Sequence, residues 1–223
     1  MLESLRGGLI VSCQAYPGEP LRDPRAMALM AQSALIGGAA GIRAQGLDDI
    51  RLIHESVQLP QIGLWKDGPK DSIFITPTLK HALAVIEAGA QIVAIDGTRR
   101  PRPDRLTLAQ TINAIHEQTG ALVMADASSL DDGIEAQEAG ADIVGTTLSG
   151  YVGNGPKPRK PDLDLVADLA AKLTVPVFAE GRIHTPAQAQ AALTAGAFAV
   201  VVGTAITHPA SITSWFRDAM DRR

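Results

Sequence analysis

Eight short apolar runs in this 223-residue chain each close on a residue that could do chemistry or approach a ligand. Gln14 follows LIVSC, Arg43 sits in GIRAQ, Lys66 follows QIGLW and Asp96 follows QIVAI. Asp126 follows LVMA, Thr147 follows IVGT, Glu180 follows PVFA and Gly203 follows AVVV. The set holds one amine, one guanidinium, three carboxylates and no imidazole. An amine in an apolar mouth beside the charge of Arg43 is driven towards its neutral form. In that form it is a base for a carbon-bound proton or a nucleophile towards a carbonyl. Alternatively, Lys66 beside Trp65 is a surface lysine whose stem lies along an apolar neighbour; its place at the end of a buried run favours the chemical reading. Asp96, Asp126 and Glu180 could equally cap the loops that follow them. For Asp96 neither reading prevails, whereas Glu180 reads as functional because Gly181 and Arg182 follow it directly.

Histidine falls elsewhere, at His54, His81, His116, His184 and His208. Metal-dependent enzymes of this build usually supply imidazole to a divalent ion. The pattern therefore argues against a metal, although two carboxylates could still hold Mg2+ weakly. Cys13 is the one cysteine and cannot form an internal disulfide. Within its apolar run it reads as a small buried hydrophobe in preference to a nucleophile.

These residues need a frame that gathers strand ends, and an internal repeat supplies one. IGGAAGIRAQG, EAGAQIVAIDG, EAGADIVGTTLSG and TAGAFAVVVGT each end a helix on glycine, continue with alanine and enter a strand. Gly38, Gly89, Gly140 and Gly196 are spaced by 51, 51 and 56 residues. That is about twice the ~25 residues of one compact strand–helix unit, so each interval holds a second unit. The runs are continuous, not alternating, as in parallel strands covered on both faces. Between them, Asp23-Pro24 opens a helix with Met27, Met30, Ala31, Ala34 and Leu35 on one face. Thr185-Pro186 opens another with Ala189, Ala192 and Leu193, Thr185 serving as N-cap. Ile212, Trp215, Phe216 and Met220 repeat the spacing in the last segment.

The expected fold is α/β, a single (β/α)8 TIM barrel over residues 1–223, with phosphate-binding loops after strands seven and eight. A doubly wound open sheet competes, but the first strand–helix connection, QAYPGEPLRDP, lacks a GxGxxG fingerprint. In a barrel the glycines of AEGR and VVGT let backbone amides approach an oxyanion, and a helix N-terminus follows. Gly181, Arg182, Gly203 and Thr204 are the phosphate candidates; the competing reading has the two glycines merely permitting tight turns. TRRPRPDR and PKPRKPD follow strands four and six. They form either proline-stiffened solvated loops or a positive rim that draws a dianionic ligand.

Composition narrows the partners. Aromatics are only 4% of residues, so an aliphatic core is required and base-stacking surfaces are scarce. A net charge of -4 also argues against nucleic acid. No run approaches the ~18 apolar residues of a membrane span, and the N-terminal apolar run is too short for a signal peptide. The expectation is a soluble, cytoplasmic protein.

Taken in order, VSCQAYPGEPL, GIRAQG, FITPT, IVAIDGTRRPRP, ADASS, EAGADIVGTTLSGY and VFAEGRIHTP resemble the N-acetylmannosamine-6-phosphate 2-epimerase family along nearly the whole chain. The resemblance implies interconversion of N-acetylmannosamine 6-phosphate and N-acetylglucosamine 6-phosphate in sialic acid catabolism. It implies a phosphorylated N-acetyl amino sugar as substrate, no metal, no nicotinamide or other cofactor, and a homo-oligomer, with a dimer favoured. It places the catalytic lysine on Lys66 and the assisting carboxylate on Glu180. Substrate contacts fall on Gln14, Arg43 and Asp126, with Thr147 added by position, and phosphate contacts on Gly181, Arg182, Gly203 and Thr204. Two departures stand out. Asp67 follows the lysine where the family usually has a basic residue, and AITHP puts His208 where arginine is common. A neutral imidazole grips phosphate less firmly than a forked guanidinium, so His208 is a weak phosphate candidate. Two other readings remain open: a Schiff-base aldolase acting on a phosphosugar through Lys66, and a non-catalytic phosphosugar-binding barrel.

Overall fold

The computed structural model describes residues 1–69, 72–153 and 158–221. Eight parallel strands close in chain order into a barrel: β1 (Leu9–Cys13), β2 (Gly41–Gln45), β3 (Gln61–Leu64), β4 (Ile92–Asp96), β5 (Leu122–Asp126), β6 (Ile143–Gly145), β7 (Val177–Glu180) and β8 (Ala199–Val202), with β8 pairing β1. Helices α1 (Pro24–Ile36), α2 (Leu47–Ser56), α3 (Leu79–Glu87), α4 (Leu108–Thr119), α5 (Leu130–Glu138), α6 (Leu163–Lys172) and α7 (Pro186–Thr194) cover the outside. A single turn, α8 (Thr204–Thr207), and α9 (Pro209–Met220) complete the chain.

The start and stop signals act as expected. Asp23 accepts from the Arg25 N–H at the head of α1, and Thr185 forms a reciprocal capping box with Gln188 at the head of α7. The four repeat glycines, Gly38, Gly89, Gly140 and Gly196, all have positive φ. They end their helices in the left-handed conformation that glycine adopts without strain.

Strand residues alternate between two packed layers. Ile10, Ile62, Leu64, Ile92, Ala94 and Met124 are among those that fill the barrel, and Leu5 from an N-terminal 3-10 turn joins them. Val11, Ile42, Val93, Val123 and Val144 face outward onto the helices. Because aromatics are few, small residues let the layers approach closely. A Cβ on Gly63 would meet Ala90 Cβ at 2.6 Å, and one on Gly133 would overlap Leu169 Cδ2.

The last helix presents its apolar face to the outside. The apolar spacing of Ile212, Trp215, Phe216 and Met220 does form a helix, but α9 buries none of its residues. Trp215, Phe216 and Met220 are 38%, 69% and 74% exposed. The flank beside it, over β8 and β1, carries two cavities, and the Trp215 ring lies 4.6 Å from that of His184 at the edge of one. One of about 370 Å³ is lined by Ala189, Leu193, Val200 and Val202, and one of about 280 Å³ by Val11, Met30 and Ala34, with Ile206 of α8 bordering both. On α1, Met27, Ala28 and Ala31 are buried, whereas Leu35, expected on the same face, is 42% exposed. Among the described residues no helix is long and apolar enough to cross a membrane.

Candidate active site

The inward parity of the strands decides which side chains meet at the C-terminal mouth. On β4 and β5, Asp96 and Asp126 are directly paired in register and continue the inward sequence of Ala94 and Met124. Thr147 continues it beyond β6, Glu180 follows inward Phe178 on β7, and Gly203 follows inward Val201 on β8. On β2, Ile42 and Ala44 pack outward, so Arg43 is the residue turned in. The period of two along the strands thus turns these groups into the mouth.

Arg43 is the hub. Its side chain is 1% exposed, and its Nη2 and Nη1 donate to the Asp126 carboxylate at 2.6 and 3.2 Å. Nη1 also lies 3.2 Å from Glu180 Oε2 and 3.5 Å from the Met124 sulfur. Burial works against its charge, but Asp126 and Glu180 outweigh that and leave its pKa above the ordinary value. The Thr147 hydroxyl donates to Asp126 Oδ1 at 2.6 Å.

Glu180 is held by its backbone. Its N–H donates to Thr146 Oγ1 at 3.0 Å, and that hydroxyl donates to the Glu180 carbonyl at 2.9 Å. Burial pushes the carboxyl pKa up to about 7; Arg43 opposes the rise, Asp126 adds to it, and Thr147 and Lys66 oppose it. Glu180 Oε2 is buried and, despite its nearness to Arg43, accepts no hydrogen bond among the described residues. A carboxyl with such a pKa can both give and take a proton near neutrality.

Lys66 reaches the same mouth from beyond β3. Its Nζ donates to Gln14 Oε1 at 2.7 Å, and Gln14 Nε2 donates to Ser12 Oγ at 2.8 Å. The Tyr16 ring lies 5.8 Å from Nζ. Ser12 and Tyr16 were not among the sequence candidates; Ser12 follows Ile10 by two on the inward face of β1, which the strand period could have revealed.

The phosphate candidates divide. Gly181 has φ +108° and Arg182 φ +58°, so the chain turns sharply after β7. The Arg182 guanidinium, however, donates to the carbonyls of Ser149 and Lys160 and lies 5.4 Å from the Tyr151 ring. Its side chain is committed to the β6–α6 loop. Gly203 brings the end of β8 against β1, where a Cβ would stand 3.3 Å from that of Ser12, and Thr204 opens α8 directly after it.

Two arginines of the loop after β4 are turned inward, whereas Arg159 and Lys160 of the loop after β6 are exposed. Arg100 Nη2 donates to Asp96 Oδ2 at 2.6 Å, and Arg102 is buried on backbone carbonyls. Asp96, with its pKa raised by burial against bonds from Thr98 and Arg100, is a loop-organising carboxylate. In PKPRKPD, Pro156 and Lys157 lie outside the described residues. Cys13 is fully buried and its thiol is pushed up to about 12 by burial, which makes it a core residue. Among the described residues no group of three or more His, Cys, Asp or Glu side chains is placed to hold a metal ion.

A family model described as "Putative N-acetylmannosamine-6-phosphate epimerase" matches residues 27–222. A relative from Cutibacterium acnes, named "Putative N-acetylmannosamine-6-phosphate 2-epimerase", is 56% identical over 222 residues, covering 99% of this chain and 96% of its own. The chain belongs to the N-acetylmannosamine-6-phosphate 2-epimerase family. The solved N-acetylmannosamine-6-phosphate 2-epimerase of Clostridium perfringens is similar with a TM-score of 0.94 and 44% identity, over 98% of this chain and 96% of that one. A thiamine phosphate pyrophosphorylase from Pyrococcus furiosus, with a TM-score of 0.62 and 19% identity over 92% of this chain and 89% of its own, shares the fold alone.

Both departures from the epimerase family pattern have partners in this chain. Asp67 Oδ2 lies 3.1 Å from His81 Nε2, and the His81 ring packs edge-on against Trp65 at 4.5 Å. One histidine on α3 therefore holds both neighbours of Lys66. His208 is buried, with Nδ1 3.5 Å from Glu19 Oε1 and its ring 4.9 Å from that of Tyr16. It thereby ties the β1–α1 loop to the end of α8.

Proposed function

We propose that this chain interconverts N-acetylmannosamine 6-phosphate and N-acetylglucosamine 6-phosphate by removing and returning the proton at C2, a step in amino sugar catabolism. The observation that carries this reading is the convergence of Lys66 and Glu180 on one mouth, with Lys66 held by Gln14 and Glu180 held beside Arg43. In the closed sugar, C1 is a hemiacetal and does not acidify the C2 proton. Glu180 moves the proton that opens the ring, its spare Oε2 accepting from a sugar hydroxyl. Opening creates an aldehyde, Lys66 takes the C2 proton, and the electron pair passes into an enolate across C1 and C2. Returning the proton on the opposite face completes the inversion. Arg43 and Asp126 form the rigid floor against which the N-acetyl group and hydroxyls are positioned, with Gln14 and Thr147 at its edges. A placed base supplies ~10²–10⁴-fold, so phosphate anchoring and enolate stabilisation contribute the remainder.

The phosphate is held by backbone at Gly181, Arg182, Gly203 and Thr204, with His208 beside them. For Arg182 the contribution is its main chain, since the guanidinium is occupied elsewhere. The working form is a cytoplasmic homodimer. The apolar face of α9 from one copy covers the open flank over β8 and β1 of the other, which accounts for the exposure of Trp215, Phe216 and Met220 beside two apolar cavities. Light scattering would read twice the 23.4 kDa chain mass, and the double substitution Trp215→Ser with Phe216→Ser would yield monomer.

Proton NMR of N-acetylmannosamine 6-phosphate in D2O tests the reaction. Conversion with deuterium entering C2 supports the enolate route. Conversion with full retention of the C2 hydrogen overturns free exchange, and binding without conversion leaves a non-catalytic barrel.

A further inference from the structure

Lys66 does not lie in a barrel strand. β3 ends at Leu64, and Trp65 to Asp67 leave the sheet to form a short antiparallel ribbon with Phe74 to Thr76, bridged at Lys66 and Ile75. Asp67 N donates to Phe74 O at 3.0 Å, Thr76 N to Trp65 O at 2.8 Å, and Trp65 N to Thr76 Oγ1 at 3.1 Å. The ribbon is inserted between the ends of two barrel strands. Pairing of β3 with β4 covers Ile62 and Gly63, whereas the Asp96 N–H at the far end of β4 donates to Ile75 O at 3.1 Å. So short a ribbon is not stable by itself, and its geometry depends on what holds it to the barrel.

Arg102, in the loop after β4, is 6% exposed and spans that junction. Its Nη1 donates to Asp96 O at 2.8 Å and its Nη2 to Thr76 O at 3.1 Å. Thr76 has φ +45°, a left-handed backbone that a β-branched residue adopts only when its surroundings enforce it. Arg102 Nε, also buried, has no partner among the described residues. A buried, incompletely satisfied guanidinium is costly for a loop that apolar packing alone could close. Its planar fork can bridge two carbonyls at once, which a lysine ammonium cannot do with the same geometry.

We infer that Arg102 is a positioning residue for the epimerisation: by bridging the Thr76 and Asp96 carbonyls it fixes the ribbon that aims Lys66 into the barrel mouth. The inference rests on Lys66 being the base of the reaction proposed above. Arg102 acts through the backbone, so its loss misplaces the amine without removing any group that grips the substrate.

The test is the D2O NMR assay on Arg102→Ala and Arg102→Lys, with amide hydrogen exchange on the same samples. Both variants lose roughly 10–100-fold in kcat while KM stays within about threefold of wild type, as expected for a base displaced by a fraction of an ångström to an ångström. Exchange at the Asp67 and Thr76 amides speeds up. Guanidinium ion at millimolar concentration restores part of the kcat of Arg102→Ala and leaves wild type unchanged. Should Arg102→Ala fail to fold, Arg102→Lys carries the test with the same kcat and exchange readouts. Wild-type kcat per folded molecule in either variant, or a loss confined to KM, overturns the inference. An inactive wild-type protein overturns the proposed reaction instead, and the exchange data then decide whether Arg102 holds the ribbon.

Discussion

Lys66 Nζ donates to the side-chain oxygen of Gln14 at 2.7 Å, joining the exit of β3 to the end of β1 across the barrel mouth. Gln14 is itself fixed, because its amide nitrogen donates to Ser12 Oγ at 2.8 Å. As a neutral acceptor it adds orientation to the charge attraction between Lys66 and Glu180. Gln14→Glu places an opposite charge at that distance and favours the ammonium. The expected outcome is a kcat lower by roughly 10-fold or more at neutral pH, partly recovered at alkaline pH. A rate–pH profile for both proteins checks it, and an unchanged profile would remove Gln14 from the control of Lys66.

Lys66→Ala removes the base and leaves the ribbon backbone. Its kcat falls by about 10²–10⁴-fold or more, and C2 exchange in D2O stops. The melting temperature stays near that of wild type, because the side chain is only partly buried. Borohydride added to wild type with substrate separates proton transfer from covalent chemistry. No mass adduct on Lys66 is expected, and a stable adduct would favour the aldolase reading.

Glu180 links catalysis to stability. Its pKa is raised from 4.5 to about 7 by burial. Between those values the folded chain holds a proton that the unfolded chain has released, so stability falls as pH rises through the window. The penalty is absent below pH 4.5 and fully present above about 7. Glu180→Gln relieves it. At pH 8 the variant melts a few degrees higher than wild type, about 2–4 °C for each kcal/mol gained, and the difference closes as the buffer approaches pH 5. Its rate–pH profile loses the inflection near 7 while kcat drops. A melting advantage that persists at pH 5 would show that the gain has another source.

Much of this architecture was legible in the sequence because it depends on local rules. Gly38, Gly89, Gly140 and Gly196 mark helix ends through a backbone conformation that few other residues tolerate. The strand-end residues Asp126 and Glu180 stand out because each is the polar residue that closes an apolar run. The unread parts depend on long-range pairing. Nothing near Lys66 in sequence shows that Trp65 leaves the barrel to pair with Thr76, because that contact forms only when the loop folds back. Arg100 and Arg102 lie in a run that reads as a solvated loop or a positive rim, because local composition does not reveal that Asp96 and two carbonyls turn them inward. Position alone makes Arg182 a phosphate candidate and does not reveal that the carbonyls of Ser149 and Lys160 take its guanidinium. The helix of Trp215 and Phe216 was predicted correctly from its spacing, but an apolar stripe does not say which surface it will cover.

The pair of Arg43 and Asp126 offers the sharpest separation of structural from catalytic contributions. Both side chains are buried, bonded at 2.6 Å, and Glu180 shares the same guanidinium at 3.2 Å. Arg43→Met leaves two carboxyls close together without their counter-charge. The expected cost is about 3–5 kcal/mol, because unpaired buried charge is more harmful than a missing pair. Glu180, which Arg43 holds down, is then driven further towards its protonated form, so the loss is greatest at alkaline pH and smaller in acid. Adding Asp126→Leu removes one of the stranded carboxyls and recovers much of the stability, as apolar replacements of buried pairs often do. It restores no activity, since neither new side chain can position a sugar hydroxyl or steady Glu180. Urea titration at pH 6 and 8 with parallel rate measurements checks both halves. If the double variant regained turnover along with stability, Arg43 and Asp126 would be scaffold, and substrate positioning would have to be sought in Gln14, Thr147 and the backbone of the mouth.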